Sequence, residues 1–178
     1  MRGLRRVAGL VLSGVLVAGT LLATGGTANA VGPPWRFWQN LSSGMCLDIL
    51  GVGNFDAVGQ STCVRNVGQV WQVELLGRDI LMLRNSGSGL CMGLLDFSSF
   101  NGAPVAQLPC NSADQRVIWF DRVSNVRGGG PGQSLPLMYV SAVGKCLDVE
   151  NGQPIDHLPM QLWDCNANTG NQAWVGST

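Results

Sequence analysis

One unit is written three times along this chain, and that repetition limits the possible folds more than any other feature. The first copy reads Gly44-Met45-Cys46-Leu47-Asp48-Ile49, then Cys63, then Gln69-Val70-Trp71. The second reads Gly89-Leu90-Cys91-Met92-Gly93-Leu94, then Cys110, then Val117-Ile118-Trp119. The third reads Gly144-Lys145-Cys146-Leu147-Asp148-Val149, then Cys165, then Gln172-Ala173-Trp174. Within the copies the two cysteines lie 17, 19 and 19 positions apart, and the closing Trp follows the second Cys by 8, 9 and 9. Measured from Trp to Trp, the period is 48 and then 55 positions. The longer interval contains Ser124–Pro136, where Gly128-Gly129-Gly130-Pro131-Gly132 can continue neither strand nor helix and reads as a surface loop.

Each copy is built of short apolar or alternating runs bounded by turn residues. In the third these are Leu137–Val140, Lys145–Val149, Met160–Trp163 and Gln172–Val175, separated by signals such as Asn151-Gly152 and Thr169-Gly170. No window past the N-terminal segment sustains a helical period, so the fold class is all-β, with four strands per copy and about twelve in total. Four-stranded repeats also suit propeller blades, but a propeller needs at least about four blades to close. Three copies that fill one domain close instead around a pseudo-threefold axis, as a β-trefoil. The repeats then span about 35–78, 79–123 and 135–178, and Trp71, Trp119 and Trp174 meet in a shared core.

The N-terminus sets the compartment. Arg2, Arg5 and Arg6 precede an apolar run from Val7 to Ala23, and Ala28 and Ala30 stand at the −3 and −1 positions of a cut after Ala30. That order is a secretory signal peptide over residues 1–30, which predicts a secreted, extracellular protein. A membrane anchor fits less well, because no basic stop-transfer cluster follows, and no later stretch is apolar enough to span a bilayer. Residues 31–178 form a chain of one ordinary domain, expected to act as a monomer. With the three signal arginines removed, eight basic groups face eleven acidic ones, a net charge of −3. Such a surface argues against nucleic acid or an anionic membrane as partner. All six cysteines lie in this part, and an even count in an exported chain reads as three disulfides. If each closes its own copy (46–63, 91–110, 146–165), each contributes about 3 kcal/mol in the chain-entropy model.

Cys-Leu-Asp-hydrophobic, a second Cys about nineteen residues on, and Gln-x-Trp resemble the ricin-B-type lectins, including family 13 carbohydrate-binding modules. The resemblance covers about residues 35–178 and implies one shallow sugar site per intact repeat. It assigns hydrogen bonding to the Asp after the first Cys and stacking to an aromatic two before the second Cys. A polar residue four before that Cys and an Asn-Gln pair ahead of the closing Trp complete the set. The third copy holds all of it: Asp148, Gln161, Trp163, Asn171 and Gln172, with Asn166 placed to reach the sugar from the side. The chemistry suits the residues. A carboxylate accepts from neighbouring hydroxyls in strong charged hydrogen bonds, an indole offers a flat apolar face, and an amide both donates and accepts. Gln172 is expected to bond to Asp148 and orient it, and Asp148 and Trp163 are both expected on the rim. Sugar selectivity is expected to depend on the loop at 150–160.

The first copy keeps Asp48 and Gln69 but has Gly59, Ser61 and Gly68 at the other positions, with Phe55 or Asp56 as substitute contacts. The second has Gly93, Ala106, Leu108 and Arg116-Val117, and is expected to be structural. Catalysis finds little support. His157 is the single histidine, so no His-rich zinc site is at hand and Ser-His-Asp catalysis would have to rest on that one residue, in a loop after a Pro-Ile-Asp turn; the cysteines are committed to disulfides. Asp148 and Glu150, two apart on one strand face, lie side by side and cannot flank a scissile bond. The sequence thus predicts no catalytic residues, no metal and no cofactor. It predicts a carbohydrate partner, a galactose- or xylose-type glycan. Two other readings stay open: a protein-interaction or inhibitor scaffold with a vestigial sugar site, or an accessory binding subunit for a separate hydrolase.

Overall fold

Turn residues cut the apolar runs short, and the strands they leave are two to seven residues long. The computed structural model describes residues 35–178; the expected export signal at 1–30 lies outside them. The first repeat supplies β1 (Trp35–Asn40), β2 (Cys46–Ile49), β3 (Val58–Ser61) and β4 (Trp71–Gly77). The second supplies β5 (Ile80–Asn85), β6 (Cys91–Leu94), β7 (Ala103–Leu108) and β8 (Trp119–Val123). The third supplies β9 (Leu137–Ser141), β10 (Cys146–Asp148), β11 (Leu158–Pro159), β12 (Gln161–Trp163) and β13 (Trp174–Ser177). Thirteen strands thus stand where about twelve are expected. The extra one arises at Met160, where the chain changes partner: β11 pairs with β3, and β12 pairs with β10 and β7.

All pairings are antiparallel, and six of them close a ring: β1–β4, β4–β5, β5–β8, β8–β9, β9–β13 and β13–β1. This barrel takes the first and last strand of every repeat, so no repeat can complete it alone. The inner strands form three hairpins, β2–β3, β6–β7 and β10–β12. They join one another through β3–β11, β7–β12 and a bridge between Ala57 and Ala106. A six-stranded barrel capped by a triangle of hairpins is the β-trefoil expected from the repeats.

The Gln-x-Trp segments differ from the expected strands in one respect. Val67–Gln69, Gln115–Val117 and Gly170–Gln172 are single 3-10 turns, each capped by the side chain of Asn66, Asp114 or Thr169. The turn carries Gln69 and Gln172 into the interior, where a continued strand would leave them in the barrel wall. Two residues later Trp71, Trp119 and Trp174 open the closing strands, fully buried in one core with Leu47, Met92 and Leu147. An aromatic of this size removes about 150–250 Å² from water. At about 25 cal/mol per Å² each Trp stabilises the fold by up to about 4–6 kcal/mol. Trp71 and Trp119 also donate their indole N–H to Leu47 O (3.1 Å) and Met92 O (2.9 Å). The disulfides are Cys46–Cys63, Cys91–Cys110 and Cys146–Cys165, one within each repeat.

Candidate functional site

The strand register assembles the third repeat's residues on one wall. Pairing of β10 with β12 sets Asp148 opposite Gln161 and Cys146 opposite Trp163. Gln161 Nε2 donates to Asp148 Oδ1 at 2.9 Å, and Gln172 Nε2 donates to Oδ2 at 3.0 Å. Gln172 does more than orient the carboxylate. Its Nε2 also donates to Asp164 O (3.0 Å), and its Oε1 accepts from Asn166 N (2.8 Å). One buried amide therefore ties Asp148 to the loop behind the second cysteine.

Asp148 is 3% exposed, so it stands at the floor of the site and departs from the expected rim position. Trp163 is the rim residue, 42% exposed on the last position of β12. Burial holds the Asp148 carboxyl above its ordinary range, the amides of Gln161 and Gln172 oppose that rise, and Glu150 adds to it. Each oxygen carries two lone pairs and meets one protein donor, which leaves acceptor capacity toward the opening.

Two adjoining depressions share Asp148, Trp163 and Asn171. One, of about 190 Å³, is lined by those three with Glu150, Asn151 and Gln161. The other, of about 280 Å³, adds Asn166, Thr169 and Gln172. All six sequence-predicted residues therefore border one concave surface. The side chain of Asn166 is partly spoken for, since its Oδ1 accepts from Asn168 N at 3.0 Å.

Glu150 and Asn151 were not among the expected site residues. Glu150 is not on the strand with Asp148; β10 ends at Asp148, and Glu150 begins a 3-10 turn, Glu150–Gly152, in which Asn151 has φ +51°. The Asn-Gly turn signal marks that bend. A Cβ at Gly152 would meet Ser42 Oγ at 2.3 Å and Asn171 Oδ1 at 2.9 Å, so only glycine leaves room for Asn171 there. The rest of the expected selectivity loop lies elsewhere. Gln60 Nε2 donates to Gln153 O and Ile155 O, and Thr62 N donates to Asp156 Oδ1, which holds residues 153–156 against the first repeat. His157 is exposed beside Asp156.

The other two repeats differ at the corresponding place: the first keeps a depression of about 430 Å³ beside Asp48 but lacks counterparts of the aromatic and amide side chains that line the third, and the second has filled the volume. In the first, Asp48 and Gln69 keep their bond (3.1 Å), but Asp48 Oδ1 also accepts from Ile49 N at 2.7 Å. Gly59, the counterpart of Gln161, lies under Leu50: a Cβ there would meet Leu50 Cδ1 at 2.6 Å. Phe55 and Asp56 do not line the depression beside Asp48; Phe55 N and Asp56 O bond to Gln107 of the second repeat, and Asp56 Oδ2 accepts from Gly53 N at 2.7 Å. In the second repeat, a Cβ on Gly93 would meet Leu108 Cδ1 at 2.7 Å and Val117 Cγ1 at 3.0 Å. Leu108, Val117, Ile118, Met82 and Ala106 form a separate buried cluster where an open site would be. A further depression of about 420 Å³ borders the Cys46–Cys63 disulfide and is lined by no Asp or Glu side chain. Its one ring, Phe37, is covered by the Arg65 guanidinium at 5.1 Å. Among the described residues no three His, Cys, Asp or Glu side chains converge to hold a metal ion.

Comparison with known proteins gives the same architecture. No curated protein matches the chain. A designed threefold-symmetric protein, ThreeFoil, is 23% identical with a TM-score of 0.70, over 81% of this chain and 98% of that one. An exo-β-1,3-galactanase from Clostridium thermocellum is 24% identical with a TM-score of 0.67; the match covers 79% of this chain and 29% of the galactanase. A ricin B-like lectin from Macrolepiota procera, solved in complex with lactose, is 16% identical with a TM-score of 0.66, over 82% and 96% of the two chains. The family model of the ricin-type β-trefoil lectin domain matches residues 36–174. With its repeats, disulfides and barrel in place, this chain belongs to the ricin-type β-trefoil lectin domain family.

Proposed function

We propose that the protein is a secreted, monomeric, non-catalytic carbohydrate-binding domain whose principal sugar site lies in the third repeat. One observation carries the reading. Asp148, Gln161, Trp163 and Asn171 border one open depression, while the first repeat's depression beside Asp48 has no Trp, Tyr or Phe ring and no side-chain amide but that of Asn66, and Leu108 occupies the matching volume of the second. The exposed indole of Trp163 is the stacking face, and Asp148 accepts from two sugar hydroxyls with its unused lone pairs. Asn171 supplies a group that donates and accepts. Asn166 and Glu150 border the sugar, and Gln172 acts through Asp148. The lactose complex of the Macrolepiota procera lectin supports a galactose-type glycan, with a xylose-type one as the other candidate. Asp148 and Glu150 belong to one segment and do not face each other across a bound sugar, so the reading assigns no hydrolysis.

A shallow site with a few net hydrogen bonds near 1 kcal/mol each and one stacked ring binds weakly, in the millimolar to tens-of-micromolar range. A polymeric glycan then supplies useful avidity. The test is a glycan array and polysaccharide pull-down with the purified protein beside Trp163→Ala. Retention of wild-type protein with at least a tenfold loss in the folded variant supports the reading. Equal binding by the two excludes the third repeat.

A further inference from the structure

The hairpin loop of the second repeat, residues 95–102, turns its largest apolar side chains to water. Phe97 and Phe100 are each 60% exposed, and Leu95 lies beside them at 39%. Single exposed apolar residues are ordinary, but a short loop that carries three marks a contact surface. The loop is held in place locally: Asp96 Oδ1 accepts from Ser98 N (2.9 Å), and Ala103 N donates to Phe100 O (3.2 Å).

By sequence the loop belongs to the second repeat, but its far end bonds to the third. Asn101 Nδ2 donates to Asp164 Oδ2 (2.8 Å), while its Oδ1 accepts from Asp164 N (3.0 Å) and Lys145 Nζ (2.9 Å). Gly102 N donates to Leu162 O at 2.8 Å. These contacts bracket Trp163 in the chain, from Leu162 on one side to Asp164 on the other. The sheet sets the distance. Pro104 on β7 pairs with Gln161, which pairs with Asp148, so the root of the loop is two strand steps, roughly 10 Å, from the Asp148 backbone. No Lys or Arg lies within 95–102, so nothing in the loop selects an anionic partner.

We propose that residues 95–102 form a second subsite, continuous with the third-repeat site, for the following sugars of a polysaccharide chain. Phe100 and Phe97 stack on those rings, while Trp163 and Asp148 hold the first. This rests on the carbohydrate reading above. It makes the ligand an extended, unbranched segment of polymer, because one sugar leaves both phenyl faces in water. The Asn101–Asp164–Lys145 cluster is the clamp that keeps the two subsites in register.

The experiment compares affinity for single sugars with affinity for oligomers. Galactose and xylose, each with its dimer and tetramer, are titrated into wild type, Trp163→Ala and Phe97→Ala/Phe100→Ala. In the series that binds, wild type gains at least tenfold from monomer to tetramer. The double Phe variant keeps the monomer affinity and loses the gain, and Trp163→Ala weakens both. Phe100→Trp, which retains a flat aromatic face, preserves the gain. Flat chain-length dependence with binding still sensitive to Trp163 overturns the subsite and leaves the carbohydrate reading standing. The same holds if the double variant keeps the full gain. Absence of binding to both series removes the carbohydrate reading and the subsite with it. Phosphatidylcholine vesicles are a further arm: binding to them that disappears in the double variant assigns the loop to a lipid surface instead and overturns the proposal.

Discussion

Replacing Asp148 by Asn changes charge at constant size, and the structure says which contact gives way. Both carboxylate oxygens accept from amides, Gln161 at 2.9 Å and Gln172 at 3.0 Å. An Asn side chain has one acceptor and one donor, so one of these contacts becomes donor against donor. Gln172 cannot turn over without losing its bonds to Asn166 N and Asp164 O. Gln161 is half-buried with its Nε2 bonded to Asp148, and it can rotate to present Oε1 to the new amide. Folding then loses at most one net hydrogen bond, about 0.5–1.5 kcal/mol. Relief of a partly desolvated charge offsets part of that. For a domain of this size, roughly 2–4 °C of Tm per kcal/mol, the shift stays within about 5 °C. Sugar binding loses far more, because hydrogen bonds to a charged group contribute about 1.5–3 kcal/mol, or roughly a tenfold to hundredfold weaker affinity. Isothermal titration paired with calorimetric melting of the same samples separates the two effects. Wild-type affinity in a folded Asp148→Asn protein would show that the carboxylate is not the sugar's acceptor. Collapse of the fold would make Asp148 a structural residue.

Three further outcomes follow from the same geometry. Because Asp148 titrates above its ordinary value of 3.8, sugar affinity measured against falling pH should begin to drop above that value, as the acceptor is protonated. Its effect on stability has the opposite direction: a raised folded-state value favours the protonated folded form, so stability from this group is present below 3.8 and lost as pH rises through the folded value. The Tm of wild type minus that of Asp148→Asn should therefore increase as pH is lowered; a flat difference would contradict the burial argument. Asp48→Ala should leave saccharide affinity within about twofold, because Gly59, Ser61 and Gly68 stand where the third repeat has Gln161, Trp163 and Asn171, and loss of binding would move the site there. Removing the second bridge as Cys91→Ser/Cys110→Ser should cost about 3 kcal/mol in denaturant melts while oligosaccharide binding persists in the folded protein. Binding that vanishes under native conditions would tie the second repeat's filled pocket directly to the site.

The repeated positions made most of the fold legible. Three Cys pairs, three closing Trp residues and their near-constant spacing specify three equal units, and each unit buries its Trp and bridges its own cysteines. That the third repeat's residues lie together was also legible, because strand register sets Asp148, Gln161 and Trp163 on one hairpin and the turn before Trp174 carries Asn171 and Gln172. Side-chain packing over the vacant positions was not legible, nor were contacts that cross repeats. Leu50 gives no sign in the chain that it will fill the space beneath Gly59, nor Leu108 that it will lie against Gly93. Residues 150–160 follow Asp148 directly, yet only Glu150 and Asn151 stay at its site, while 153–156 bond to the first repeat. The loop that adjoins Trp163 comes instead from the second repeat, through Asn101 and Gly102. The division has a physical origin. Within one hairpin, alternation and turn chemistry fix which side chains share a face. Which hairpin lies beside which is decided only when the six barrel strands close and the hairpins meet at their cap.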